Sequence, residues 1–257
     1  MTRLRRAFRV LLLAGLLAAL FAPVGASQGP FYIVPSRTHE CENVPKCIGV
    51  TGPWIVVPAH GIATFLVNCP NTRTFLVGGT DALTSSSEIR VWFDGPLGSP
   101  LGTPSHLPTG RALSNAGSVL LFHAQSNDGR MGSFEPALGC IKLVQSTKRS
   151  TLSALAPAPG SSENTPSAPV DLRTKAIPLG PGARLVVKSS CLKRESLVGS
   201  WTALGFDTDG PPDLSHVKDV KIATRVANNA VGVVITTRTS LPVPPPTEVQ
   251  LGAMCEP

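Results

Sequence analysis

Aromatic residues, histidine and net charge are all scarce in this sequence of 257 residues: aromatics make up 5%, with three Trp and one Tyr, and there are five His. Exposed Trp and Tyr serve as platforms for sugars, so Trp54, Trp92, Trp201 and Tyr32 are the whole supply for such a surface. The core of a small domain competes for the same rings. Among His39, His60, His106, His123 and His216 no two stand at metal-ligand spacing. His123 reads as a half-buried strand residue on the face of Val119 and Leu121. The formal charge of +7 also shrinks once it is placed. Arg3, Arg5, Arg6 and Arg9 precede the first apolar run, and without them 19 basic residues face 16 acidic ones, a net +3. No later stretch interleaves Lys or Arg with aromatics, which argues against nucleic acid as a partner.

Long apolar runs are absent except near the start. The run from Val10 to Ala22 is about 13 residues, short of the roughly 20 that span a bilayer as a helix. Together with the basic start and the small-residue end Val24-Gly25-Ala26, it predicts a signal peptide over 1–26, cleaved after Ala26. The segment resembles the export signals of high-GC bacteria. The expected location is extracytoplasmic: secreted, periplasmic or in the cell wall, with no membrane span in the mature chain.

Six Cys, at 41, 47, 69, 140, 191 and 255, all follow that segment. An even count in an oxidising compartment predicts disulfides. An internal repeat selects the pairing Cys69 with Cys140 and Cys191 with Cys255, leaving Cys41 and Cys47 to close a short loop. A zinc site from His39, Cys41 and Cys47 is the weaker reading, since oxidation consumes the thiols.

The repeat is one of order and spacing. Val57-Pro58, Gly61, Ala63 to Val67, Cys69, Leu76-Val77-Gly78 and Ala82-Leu83 are answered by Ile177-Pro178, Gly182, Ala183 to Val187, Cys191, Leu197-Val198-Gly199 and Ala203-Leu204. Phe93-Asp94, Asn115-Ala116 and Cys140 are answered by Phe206-Asp207, Asn229-Ala230 and Cys255, at offsets of 113 to 122 residues. Between the copies lies a Pro-, Ser- and Ala-rich stretch that cannot form a core. The expected organisation is a signal peptide at 1–26, a first domain at 27–145, a linker at 146–171 and a second domain at 172–257.

Short β-branched or aromatic segments bounded by turn residues predict strands at Trp54 to Val57, Thr64 to Val67, Phe75 to Val77, Ile89 to Phe93 and Val119 to His123. The second half adds Arg184 to Lys188, Val217 to Thr224, Val231 to Thr236 and Glu248 to Met254. After residue 26 no segment keeps a helical period with caps. The fold class is therefore all-β: two tandem small antiparallel β-sandwich or jelly-roll-like domains, each closed by a disulfide.

Signals for chemistry are few. Gly132-Ser133-Phe134 and Gly199-Ser200-Trp201 each carry half of the turn that exposes a hydrolase serine. Paired cysteines leave no thiol nucleophile. Asp207, Asp209 and Asp213 form the one acidic cluster and the candidate calcium site, although the distal Glu of a calcium loop is missing; no other cofactor is indicated. Glu88, Asp94, Glu135 and Glu195 are unranked candidates for paired-carboxylate glycoside hydrolysis. The expected function is an exported, non-catalytic binding or structural protein of the bacterial cell envelope or medium, acting through two related β modules. The alternative is a secreted hydrolase with carboxylate catalysis, and a cell-envelope component or glycan is the expected partner.

Overall fold

A computed structural model of the chain describes residues 39–42, 46–70, 75–94, 111–113, 118–127, 129–142, 167–240 and 247–256, with the backbone alone at 39, 111–113 and 167–170. The segment read as a signal peptide, the loop residues 43–45 and most of the linker lie outside these residues. Fourteen strands run through the described residues in chain order. They are β1 (Cys47–Thr51), β2 (Trp54–Val57), β3 (Ile62–Asn68), β4 (Phe75–Thr84), β5 (Ile89–Asp94), β6 (Arg111–Leu113), β7 (Val119–Ser126) and β8 (Gly132–Lys142), followed by β9 (Ser167–Leu179), β10 (Arg184–Ser190), β11 (Ser196–Phe206), β12 (Val220–Ala227), β13 (Ala230–Thr237) and β14 (Thr247–Glu256). The only helical pieces among the described residues are 3-10 turns at His39–Cys41 and Leu214–Asp219. The chain is all-β, and its sheets pack face to face as in a sandwich.

In the first half, β3-β7-β5 forms a three-stranded sheet. Its inward residues Phe65, Val67, Leu120 and Phe122 pack on Val50, Val57, Phe134 and Leu138 of β1, β2 and β8. The second half is arranged similarly. β10-β13-β12 is again three-stranded, and Val231, Val233 and Ile235 pack on Leu204, Phe206, Val249 and Leu251 of β11 and β14. In each half a disulfide joins the end of one sheet to the last strand of the other: Cys69–Cys140 and Cys191–Cys255, with Cys41–Cys47 closing the short loop. All three bridges agree with the pairing expected from the sequence, and no cysteine is free. Such a set is the mark of an oxidising compartment.

The ladders also correct details of the sequence pairing. Opposite each bridging cysteine of the last strand stands Val77 (to Cys140) or Leu197 (to Cys255), and each ladder then skips one residue. Gly78 and Val198 are therefore the bulge residues, whereas the alignment read from sequence sets Gly78 against Gly199. Strand β12 starts at Val220, not Val217. Asp213 accepts the backbone N–H of Ser215 and so caps a 3-10 turn that takes up Leu214–Asp219. Strand β9 begins at Ser167, inside the stretch read as linker.

The described residues of both halves belong to one compact unit, Phe31–Pro257. Strand β2 lies between β8 and β11, pairing Ile55 with Phe134 on one side and with Gly205 on the other. All four of its residues are buried, because both faces of this seam are covered. Val56 belongs to the second core and Ala203 of β11 to the first. A third apolar cluster joins Leu66 and Leu121, on the outer face of β3-β7-β5, to Trp201, Leu172 and Met254. The turn at His39–Cys41 settles on the first half: the Glu40 carbonyl oxygen lies 2.2 Å from where a Cβ would stand at Gly79 or Gly139.

Candidate functional site

The sheet β10-β13-β12 buries one face and leaves the other open. Strand alternation puts Arg184, Val186 and Lys188 on the open face of β10, and the ladder continues each across β13 to β12. The rows read Arg184–Thr236–Lys221, Val186–Val234–Ala223 and Lys188–Gly232–Arg225. Four exposed cations thus sit at the corners of a patch roughly 10 Å across the strands and 14 Å along them, from strand spacing and rise. Between them runs an apolar ridge in which Val186 is 75% and Val234 36% exposed.

No ion pair holds Arg184, Lys188, Lys221 or Arg225 among the described residues. Elsewhere cations are matched: Arg173 meets Glu195 at 2.6 Å, and Arg238 meets Asp219 at 3.5 Å. Lys175 adds a fifth cation at the β10 edge, donating from Nζ to the Lys188 carbonyl at 2.7 Å. The corner charges are separated by more than a Debye length of about 8 Å at physiological salt, so they repel one another little. A polyanion lying over the patch would engage them together. The corresponding face of β3-β7-β5 has a different fate, since its row Leu66–Leu121 is buried against the second half.

A second feature is carboxylic. Glu135 follows Phe134 on β8, Asp207 follows Phe206 at the end of β11, and Glu248 lies opposite Gly205. The β2–β11 seam brings these three together from both halves. Burial, and then the charge of Asp207, pushes the Glu135 carboxyl up to about 7. The same two causes raise Glu248, and burial together with Asp209 raises Asp207. Asp213 serves elsewhere: hydrogen bonds from Ser215 hold its carboxyl below the usual range. Among the described residues one trio offers metal-ligating atoms within 4.8 Å of one another, and it is Cys191, Glu195 and Cys255; both sulfurs are spent in a disulfide. Asp207, Asp209 and Asp213 do not form such a trio.

The remaining candidates disperse. Glu88 is exposed in the β4–β5 turn. Glu195 accepts from Arg173 and from the Leu192 N–H. Ser133 is fully buried in β8 and Ser200 is exposed within β11, so neither sits on a nucleophile turn. The complete Gly-x-Ser-x-Gly pattern occurs at Gly25-Ala26-Ser27-Gln28-Gly29, across the expected cleavage point and outside the described residues. Trp54 and Trp201 are buried, which removes them as sugar platforms, while Trp92 stacks on His123 with ring centroids 5.5 Å apart. Tyr32 and His106 lie outside the described residues.

Compared with models of protein families, with curated proteins and with solved structures, the chain finds no match.

Proposed function

We propose that this chain is an exported binding protein of the cell envelope or extracellular medium. It is built from two related β modules, of which the second presents its open sheet face to an anionic envelope polymer. The observation that carries this reading is the set of four cations, without an ion pair among the described residues, that frames the exposed Val186–Val234 ridge. Phosphate or carboxylate groups repeating along a polymer complement that pattern, and the ridge offers contact to an apolar sugar face or linker. The first module, whose equivalent face packs on the second along its Leu66–Leu121 row, supports that surface. The duplication, the leader at 1–26 and export belong to the same proposal, supported by the shared strand plan and by three disulfides suited to an oxidising compartment.

Co-sedimentation of the purified, disulfide-intact protein with isolated envelope tests it. Retention should fall steeply as salt rises, because binding through several cations releases counterions. Retention that ignores salt, or none at low salt, contradicts the reading. The raised Glu135 carboxyl beside Asp207 favours a second reading, hydrolysis of a glycan by paired carboxylates. Release of reducing ends from envelope glycan by the native protein, lost in Glu135→Gln, would establish it.

A further inference from the structure

The outer face of β3-β7-β5 carries a hydrogen-bonded chain of three side chains that the binding face does not use. Thr64 on β3 and His123 on β7 are direct cross-strand partners, and Trp92 on β5 is the next residue in that row. The Thr64 hydroxyl lies 3.0 Å from Nδ1 of His123. On the far side of the ring, Nε2 lies 3.0 Å from Oδ2 of Asp94. An ionised Asp94 only accepts, so Nε2 carries the proton and donates to it. Nδ1 is then the bare nitrogen, and the Thr64 hydroxyl donates to it. Stacking on Trp92 fixes the ring plane. The other Asp94 oxygen is buried with no hydrogen-bond partner among the described residues, so His123 is the group there that answers its charge. The group is partly buried, with 14% of the His123 side chain and 23% of that of Asp94 exposed.

We propose that Thr64 is a base-activated nucleophile for acyl transfer from a small activated ester, with His123 as the base and Asp94 as a positioning residue. Hydroxyl, imidazole and carboxylate in this order are the arrangement that activates an alcohol. Strand register supplies a further element. The Leu66 N–H points away from β7, where Gln250 accepts it; Thr64, two residues earlier on this edge strand, turns its own N–H the same way. That donor belongs to the nucleophilic residue itself, the kind of group that serine hydrolases use as one of their oxyanion donors. In the step, Thr64 Oγ1 bonds to the acyl carbon and its proton passes to His123 Nδ1. The ester C–O bond breaks, and the leaving alcohol takes the proton from His123. Attack by water on acyl-Thr64, with His123 as base, returns the free acid and the hydroxyl.

The test uses p-nitrophenyl acetate with the intact protein at pH 8, following nitrophenolate release and mapping acetylated peptides by mass spectrometry. The expected result is a burst approaching one equivalent, with the acetyl group on Thr64. Thr64→Ser should keep the burst, Thr64→Val should abolish it, and Asp94→Asn should slow it by about 10²-fold or more, with far-UV circular dichroism checking that each variant is folded. Acetylation confined to lysines, or a Thr64 label whose rate is unchanged in folded Asp94→Asn, overturns the proposal.

Discussion

The side-chain amide of Gln250 pairs with both backbone groups of Leu66, 184 positions away: its oxygen accepts the Leu66 N–H at 2.8 Å, and its nitrogen donates to the Leu66 carbonyl at 2.9 Å. Leu66 lies on β3, an edge strand, and an edge leaves backbone groups without partners. Gln250 supplies them from the other half of the chain. Its oxygen also accepts Nε1–H of Trp201 at 2.9 Å, so one buried amide ties the edge, the indole and β14 together.

Replacing Gln250 by Ala should therefore cost more than one ordinary hydrogen bond. It leaves a buried donor and acceptor of Leu66 unpaired, at about 1–3 kcal/mol each. Urea unfolding should show a loss of about 3 kcal/mol, and the Leu66 amide should exchange faster. A loss under about 0.5 kcal/mol would mean that water replaces the clamp.

Gly252 makes room for Trp201. A Cβ at Gly252 would stand 2.1 Å from two indole ring carbons, so Gly252→Ala should destabilise by about 1–3 kcal/mol through overpacking and shift the tryptophan fluorescence. Unchanged stability and emission would show that the indole has another place to go.

The bridges should rank by loop length. Cys191–Cys255 and Cys69–Cys140 span 64 and 71 positions, against 6 for Cys41–Cys47. By the chain-entropy model, removing either long bridge should cost about 4 kcal/mol and the short one about 2 kcal/mol. Paired Cys→Ser variants in urea give the order, and equal losses would contradict it.

Carboxylate burial sets the sign of the pH dependence. The Glu135 carboxyl rises from 4.5 to about 7 in the fold, so between those values the folded state holds a proton that the unfolded state has released. Stability should then decline as pH rises from 4.5 to 7 and level off above it. Glu135→Gln should stabilise at pH 8 by roughly 1 kcal/mol, allowing for solvent screening, and leave pH 4 unchanged. Asp207→Asn should lower the carboxyl pKa values of both Glu135 and Glu248 in NMR titrations. A stability that climbs from pH 4.5 to 7 would oppose this account.

Much of the fold is legible in the residues. Disulfide pairing follows from the repeat, and most strands from alternation and turn residues. What escapes depends on ladder register. Val217 has strand composition, yet the Asp213 cap draws it into a 3-10 turn. Thr64 and Asp94 lie 59 and 29 positions from His123, and only strand pairing turns three common residues into a chain. Glu135 and Asp207 meet through β2, a pairing between halves with no local signal. The cationic face is the exception, because Arg184-x-Val186-x-Lys188 and Lys221-x-Ala223-x-Arg225 alternate with period two. Whole-chain charge balance conceals this concentration; the alternation displays it.

The most direct test of the proposed binding face reverses its charge. The variant Arg184→Glu/Lys188→Glu/Lys221→Glu/Arg225→Glu alters exposed positions alone, and its unfolding curve checks that the fold is kept. Co-sedimentation with isolated envelope at low salt should retain the native protein and lose the variant by at least about tenfold. Equal retention of the two would show that the open face of β10-β13-β12 is not where the protein binds.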